Sequence, residues 1–96
     1  MGLKMKDKLL EIIEHYGVMS QLKYFQSEVF ELNEAIIKHE SSGGEYQHIV
    51  EEIADVMVML GEFVSYYDID NDEINNIMYQ KIDRQLERIK NENIKQ

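Results

Sequence analysis

The chain contains no proline, and its apolar residues recur at helical spacing in the segments between its glycines. Proline breaks helix interiors and glycine often ends helices, so this composition permits long helices that are interrupted only at the glycines. The clearest pattern belongs to the second segment, where apolar residues alternate at steps of three and four: Leu22, Phe25, Val29, Leu32 and Ile36. No segment has strand-like alternation of useful length. The sequence therefore predicts an all-α fold.

Four helices are predicted, with a capping or turn signal at each boundary. The first ends at Gly17, and the second begins with Ser20 as its N-cap and ends at a polar loop over residues 41–44. A turn over residues 68–72, rich in N-cap residues, follows the third helix, and the fourth runs from about Glu73 toward the C-terminus. The expected architecture is a four-helix bundle-like domain.

The third predicted helix is apolar around most of its circumference. Its main stripe is Ile49, Ile53, Val56, Leu60, Phe63 and Tyr67, and further apolar residues lie outside that stripe: Val50, Ala54, Met57, Val58, Met59 and Val64. A helix of this kind is buried on most sides. The 96 residues form a single small domain, 1–96, which leaves little material to cover it. The sequence therefore predicts a homodimer, with a tetramer as the larger alternative.

Charge is the most informative feature of the composition. The chain has 19 acidic and 10 basic residues, for a net charge of -9, which argues against nucleic-acid binding. Between His39 and Gln80 there are ten acids and no lysine or arginine. Such a stretch is either a solvated face or a cation site. The absence of cysteine excludes a disulfide framework and a thiolate zinc site.

Nothing in the sequence indicates membrane insertion or export. No apolar run approaches the roughly 18 residues of a membrane span, and Met1–Lys8 lacks the apolar stretch of a secretory signal. We therefore expect a cytoplasmic protein with no membrane partner.

Two acidic pairs have the same spacing on the two central helices: Glu28-x-x-Glu31 and Glu52-x-x-Asp55. Residues three apart point to one side of a helix, so each pair shares a face. Glu28 and Glu52 border the apolar stripes, and their partners lie further out. If the helices pack as an antiparallel hairpin, the four carboxylates meet and repel unless a cation lies between them. Oxygen ligands alone suit Mg²⁺, with Mn²⁺ as an alternative.

These residues resemble a known family. The segments SEVFELNEAI at 27–36 and VEEIADVMVML at 50–60 resemble the all-α nucleoside triphosphate pyrophosphohydrolases of the MazG type, whose signature is an ExxE pair followed by an ExxD pair. Here 20 residues separate Glu31 from Glu52. HYGVMSQLKYFQSE and QKIDRQLERI resemble the flanking helices of short phage and bacterial members, so the resemblance covers roughly residues 15–89.

The resemblance implies an activity and a set of site residues. It implies hydrolysis of a (deoxy)nucleoside triphosphate between the α and β phosphates, giving a monophosphate and pyrophosphate. Four residues match the catalytic Mg²⁺ ligands: Glu28, Glu31, Glu52 and Asp55. Lys81 and Arg84 match basic residues that approach the substrate's phosphates. Family members commonly have two adjacent glutamates at the first pair, whereas Ser27 precedes Glu28 here, which leaves one or two metals open.

Other readings of the sequence stay open. Gln21 and Tyr24 lie one to two turns before Glu28, where they could contact a nucleobase or simply cap and pack. Glu45-x-x-His48 prompts a ferritin-like di-metal bundle, although that site requires two such motifs and the chain has one. A third hypothesis is a non-catalytic helical interaction module, in which the acids only maintain solubility.

Overall fold

The structure is a computed structural model that describes residues 4–95. Within these residues the chain forms four α-helices and no strand, which confirms the all-α prediction: α1 (Met5–Tyr16), α2 (Val18–Ser42), α3 (Tyr46–Tyr66) and α4 (Asn71–Lys95). The predicted domain spans 1–96, of which residues 1–3 and 96 lie outside the described part. The first three residues of Met1–Lys8, the segment assessed for a secretory signal, also lie outside the described part.

A single glycine joins α1 to α2. Gly17 has φ 90° and ψ 145°, a backbone conformation that favours glycine, and its N–H donates to the carbonyl of Ile13. The N–H of Gln21 already donates to the Gly17 carbonyl, so α2 begins at Val18. The prediction of Ser20 as N-cap is therefore wrong, because Ser20 lies inside the first turn of α2.

The other two connections are shorter than predicted. The helix α2 continues through Ser41 and Ser42, whose hydroxyls donate to carbonyls one turn back, and it ends at Gly43 in the left-handed conformation. After α3, the Asp70 side chain accepts a hydrogen bond from the N–H of Asp72 at 2.9 Å, so α4 starts two residues before the predicted Glu73.

Helices α1, α2 and α3 pack together, with α3 between the other two. Ile13, Ala35 and Met59 are the buried apolar residues at the centre of this three-helix body, which we define as residues 5–66. The rings of Phe25 and Phe63 meet edge to face, with centroids 5.7 Å apart. This packing positions one face of α2 against one face of α3.

Helix α4 leaves the three-helix body after the turn. Among residues 4–95 it makes no extensive contact with the other helices, and apolar residues along it are about half exposed, including Ile82 (49%) and Leu86 (54%). The radius of gyration is 17.3 Å, against about 12.5 Å for a compact domain of this length. The accessible surface is 8065 Å², against roughly 5,800 Å² for a compact monomer of this mass. A single chain therefore leaves much apolar surface uncovered.

No helix among residues 4–95 is both long enough and apolar enough to cross a membrane.

Candidate metal centre

The site is built on the antiparallel pair α2 and α3, which a three-residue loop joins. The most buried line on α2 consists of Gln21, Glu28 and Ala35, each two turns from the next. On α3, Glu52 and Met59 repeat that spacing, with Glu62 and Ser65 also buried. The seam between the two helices thus includes carboxyl groups as well as apolar ones.

Three carboxylates from the two predicted pairs come together at this seam. One carboxylate oxygen from each of Glu28, Glu31 and Glu52 lies within 4.8 Å of the other two. Glu28 (5% exposed) and Glu52 (8%) are buried, whereas Glu31 is exposed. The helices therefore bring the acidic pairs face to face, with the first member of each pair on the inner side as the sequence predicts.

Asp55 lies beside this cluster rather than within it. It is exposed and lines the adjacent pocket together with Glu28. Its negative charge raises the pKa of both Glu28 and Glu52, after the larger effect of their burial. The structure therefore brings three of the four predicted ligands within one ion's reach, and Asp55 close enough to act on two of them electrostatically.

Burial and like charges disfavour the ionised forms of the inner two acids. Burial raises the pKa of Glu28, a hydrogen bond from the Tyr24 hydroxyl opposes that rise, and the charges of the other three acids add to it. The pKa of Glu52 rises for the same main reason, and His48, whose Nε2 lies 3.9 Å from the Glu52 carboxylate, lowers it in part. Both acids are therefore harder to ionise than a free glutamate, and a cation bound between them would offset that cost.

Two buried carboxylate oxygens indicate where a cation could bind. Oε2 of Glu28 and Oε2 of Glu52 have no hydrogen-bond partner within residues 4–95. Buried polar atoms are normally satisfied, so an unsatisfied pair beside a third carboxylate fits a hard cation that takes oxygen ligands. The residues present could therefore hold a divalent cation.

A pocket of about 960 Å³ adjoins the cluster, and all three helices of the body contribute to its walls. Gln21 and Tyr24, the residues with a predicted base contact, both line it. The neighbouring Glu28 carboxylate raises the pKa of Tyr24 through hydrogen bonding and its negative charge. The residues from α1 and the start of α2 add apolar and polar surface: Ile12, Tyr16, Met19, Ser20 and Lys23.

Glu62 is a pocket residue that the sequence reasoning missed. It is 1% exposed, and burial raises its pKa. An acid directly between Gly61 and Phe63 on a largely apolar helix, seven residues after Asp55, was the available signal. Seven residues are two helical turns, so Glu62 faces the same side of α3 as Asp55.

Lys81 and Arg84 lie on α4, where both are exposed. Neither lines the pocket, and within the described chain α4 does not pack on the helices that carry the carboxylates. One chain therefore does not bring the predicted phosphate-binding pair to the acidic cluster.

Comparison of the chain with protein-family models, with curated proteins and with solved structures gave no match.

Proposed function

We propose that this protein is a Mg²⁺-dependent nucleoside triphosphate pyrophosphohydrolase of the MazG type, acting in the cytoplasm. It hydrolyses a (deoxy)nucleoside triphosphate between the α and β phosphates to a monophosphate and pyrophosphate. The observation that carries the proposal is the cluster of Glu28, Glu31 and Glu52, with two buried oxygens that lack partners in the described chain, at the edge of a 960 Å³ pocket.

The carboxylates of this cluster would hold Mg²⁺, or Mn²⁺ in its place, and Asp55 is the fourth candidate ligand. A bound divalent ion supplies a Lewis acid for the phosphate oxygens and compensates the charge that develops on them. Burial of Glu28 and Glu52 keeps their carboxylates in position, because neither side chain has free rotation in the packed seam. The chain thus supplies a preorganised oxygen cage.

The chemical step adds water across the α–β anhydride. A carboxylate accepts a hydrogen bond from the water and takes its proton as the new P–O bond forms and the anhydride bond breaks. Glu31 and Asp55 are the candidates for this base, because both are exposed, Asp55 lines the pocket and Glu31 lies beside Glu28. Pyrophosphate leaves as an anion, so cationic side chains are required near it.

Lys81 and Arg84 are the proposed cations, and a second copy of the chain is the proposed means of completing the site. Each chain exposes roughly 2,300 Å² more surface than a compact monomer of its mass, which matches the area that an obligate dimer buries. Helix α4 and the outer face of α3 are the apolar surfaces available for that contact. A homodimer would bring α4 of one copy close to the body of the other.

The proposal is tested with a panel of nucleoside triphosphates in the presence of Mg²⁺, with separate detection of pyrophosphate and orthophosphate. We expect equimolar pyrophosphate and monophosphate from at least one nucleotide, and no product when Mg²⁺ is chelated. Release of orthophosphate alone, or no turnover with any nucleotide of the panel, refutes the proposal.

The exposed apolar side of α4 supports a second candidate function, that of a dimerising interaction module without catalysis. The two functions differ in their response to metal. Mg²⁺ or Mn²⁺ raises the melting temperature of a protein that binds it in the folded state and leaves a module without a metal site unchanged.

A further inference from the structure

Among residues 4–95, Lys23 is the one basic residue in the walls of the 960 Å³ pocket. The other charged residues of those walls are acids: Glu28, Asp55 and Glu62. Lys23 is exposed on α2, and it forms no ion pair with these acids or with any other acid of the described chain. Its ammonium group is therefore available to a ligand that enters the pocket.

Two hydroxyl groups lie on the same side of α2 as Lys23. Ser20 precedes Lys23 by three residues and Ser27 follows it by four, so the three side chains extend along one side of the helix over about 10 Å. All three line the pocket. The hydroxyls of Ser41 and Ser42 donate to helix carbonyls, whereas within residues 4–95 those of Ser20 and Ser27 form no hydrogen bond. We call Ser20, Lys23 and Ser27 the donor row.

One end of the donor row meets the metal cluster. Glu31 follows Ser27 by four residues, one further turn along the same side of α2. Glu28 is the next residue after Ser27, and Asp55 lines the pocket from α3. An ion held by these acids would therefore lie at one end of a line of hydroxyl and ammonium donors, within the pocket of a single chain.

The donor row suits an anion that has several oxygens along its length. A lysine ammonium offers three hydrogen-bond donors, and each serine hydroxyl offers one. Hydrogen bonds between an ammonium and phosphate oxygens are shorter and stronger than bonds between neutral groups. A phosphate chain with one end at the metal cluster would present its remaining oxygens to the donor row.

We propose that the donor row binds the pyrophosphate portion of the triphosphate, with Lys23 as a cationic contact from the same chain that carries the metal cluster. The inference rests on the proposed function for the presence of a triphosphate in the pocket. It adds a phosphate contact that one chain positions by itself, whereas Lys81 and Arg84 depend on a second copy to reach the site.

Binding of inorganic pyrophosphate tests this assignment without any chemical step. Titration calorimetry in the presence of Mg²⁺ measures the dissociation constant for the wild-type protein and for Lys23→Met, which removes the charge and keeps an unbranched side chain. We expect the dissociation constant to rise at least about tenfold in this variant, because charge-assisted hydrogen bonds are lost.

Lys8→Met is the matched control for the binding experiment. Lys8 is an exposed residue of α1 outside the pocket walls, so this variant should bind pyrophosphate as the wild type does. Absence of binding by the wild-type protein overturns the assignment. An unchanged dissociation constant in Lys23→Met, or an equal rise in both variants, also overturns it.

Two further variants separate the charge of Lys23 from the hydroxyls beside it. Lys23→Arg keeps the cation and should bind pyrophosphate more tightly than Lys23→Met. Replacing both Ser20 and Ser27 with alanine should raise the dissociation constant by a smaller factor than Lys23→Met, because neutral hydrogen bonds contribute less. A Lys23→Arg protein that binds no better than Lys23→Met contradicts the role of charge. An unchanged dissociation constant in the double serine variant contradicts the role of the hydroxyls.

The nucleotide hydrolysis panel then distinguishes this inference from the proposed function. Binding of pyrophosphate that depends on Lys23, without turnover of any nucleotide, refutes the hydrolase and keeps the anion site. Turnover with the same kcat/KM in the wild type and Lys23→Met, together with unchanged pyrophosphate binding, refutes only the donor row.

Discussion

The three-helix body and α4 carry the two halves of the proposed site, and they are held in very different ways. In the body, Glu28 and Glu52 are fixed by burial between helices, and the pocket has walls from α1, α2 and α3. On α4, Lys81 and Arg84 stand on a 25-residue helix with no extensive contact to the body among residues 4–95. The packing of one chain therefore fixes the acidic residues. It does not fix Lys81 and Arg84, because α4 has no extensive packing surface within the described part of that chain.

The largest expected effect is the loss of turnover when an acid of the three-helix body is replaced. Glu31→Gln or Asp55→Asn should lower turnover by ~10²-fold or more, because the carboxylate is lost while the volume is kept. Helicity measured by circular dichroism should stay unchanged, since both residues are exposed. The matched control is Glu51→Gln, an exposed acid next to Glu52 on the same helix, and it should retain activity. An equal loss in the control would mean that general acidity, not the cluster, matters.

The second effect concerns assembly through α4. Ile82→Glu places a charge on its apolar side and should weaken self-association by about a hundredfold, because the carboxylate would be buried in the interface. Light scattering at several concentrations measures this change. Gln80→Glu adds the same charge on the opposite side of α4 and should leave the mass unchanged. A monomeric wild-type protein at micromolar concentration would remove the basis for the dimer.

A third, intermediate effect is expected on KM, and it should differ between the basic residues of α4. Lys81→Met should raise KM for the triphosphate by about tenfold with a smaller change in kcat, because a cation near the leaving phosphates contributes to binding. Lys90→Met on the same helix should leave both constants unchanged. Steady-state kinetics at saturating Mg²⁺ measures the two variants, and equal behaviour would argue against a specific phosphate contact.

Stability against pH is a smaller effect, and its sign follows from the raised pKa values of Glu28, Glu52 and Glu62. An acid with a higher pKa in the folded state stabilises the fold at low pH, and that contribution is lost as pH rises through the folded-state pKa. The metal-free protein should therefore melt at a higher temperature near pH 5 than near pH 8. Mg²⁺ should reduce this difference in melting temperature, because a bound cation stabilises the ionised carboxylates at pH 8.

Glu52→Gln provides the matched variant for that experiment. It removes the buried charge, so it should raise the melting temperature of the metal-free protein at pH 8 and reduce the response to Mg²⁺. Glu51→Gln should do neither to the same extent. A lower melting temperature for Glu52→Gln would mean that the carboxylate is stabilising without metal, contrary to its burial.

The smallest effect is expected where α1 meets the turn before α4. Lys6 and Asp68 form an ion pair at 2.6 Å, and their side chains are 58% and 82% exposed. Solvent screens such pairs, so Lys6→Ala should change the melting temperature by no more than a few degrees. A large loss would show that this contact orients α4, which would make the two regions less independent than their packing indicates.

The sequence predicts the helices and the facing acids well because both depend on local periodicity. Spacing of three residues is enough to place Glu28 and Glu52 inward of their partners. It does not predict the seam itself, in which Gln21, Glu28 and Ala35 are buried while apolar Val29 and Ile36 stay about 40% exposed. Because these apolar side chains stay partly exposed while carboxyl and amide groups are buried, the seam cannot be inferred from hydrophobicity alone.

The helix boundaries and the burial of Glu62 depend on tertiary contacts and local backbone conformation, which the periodicity of the sequence does not reveal. Ser20 is a residue type that often caps helices, but the conformation of Gly17 starts α2 three residues earlier than a Ser20 cap requires. In the sequence, Glu62 is simply one of the ten acids between His39 and Gln80. Its significance comes from burial against the pocket, which depends on how α1 and α2 pack on α3.

The junction at Gly17 also governs the shape of the space available to a ligand. Ile12 and Tyr16 on one side of it, and Met19 and Ser20 on the other, are all pocket walls, so two torsion angles of one residue set the angle between those walls. Residues with a side chain rarely adopt φ 90° with ψ 145°. Gly17 is not itself a pocket wall, yet a substitution there would change the shape of the pocket as well as the stability of the fold.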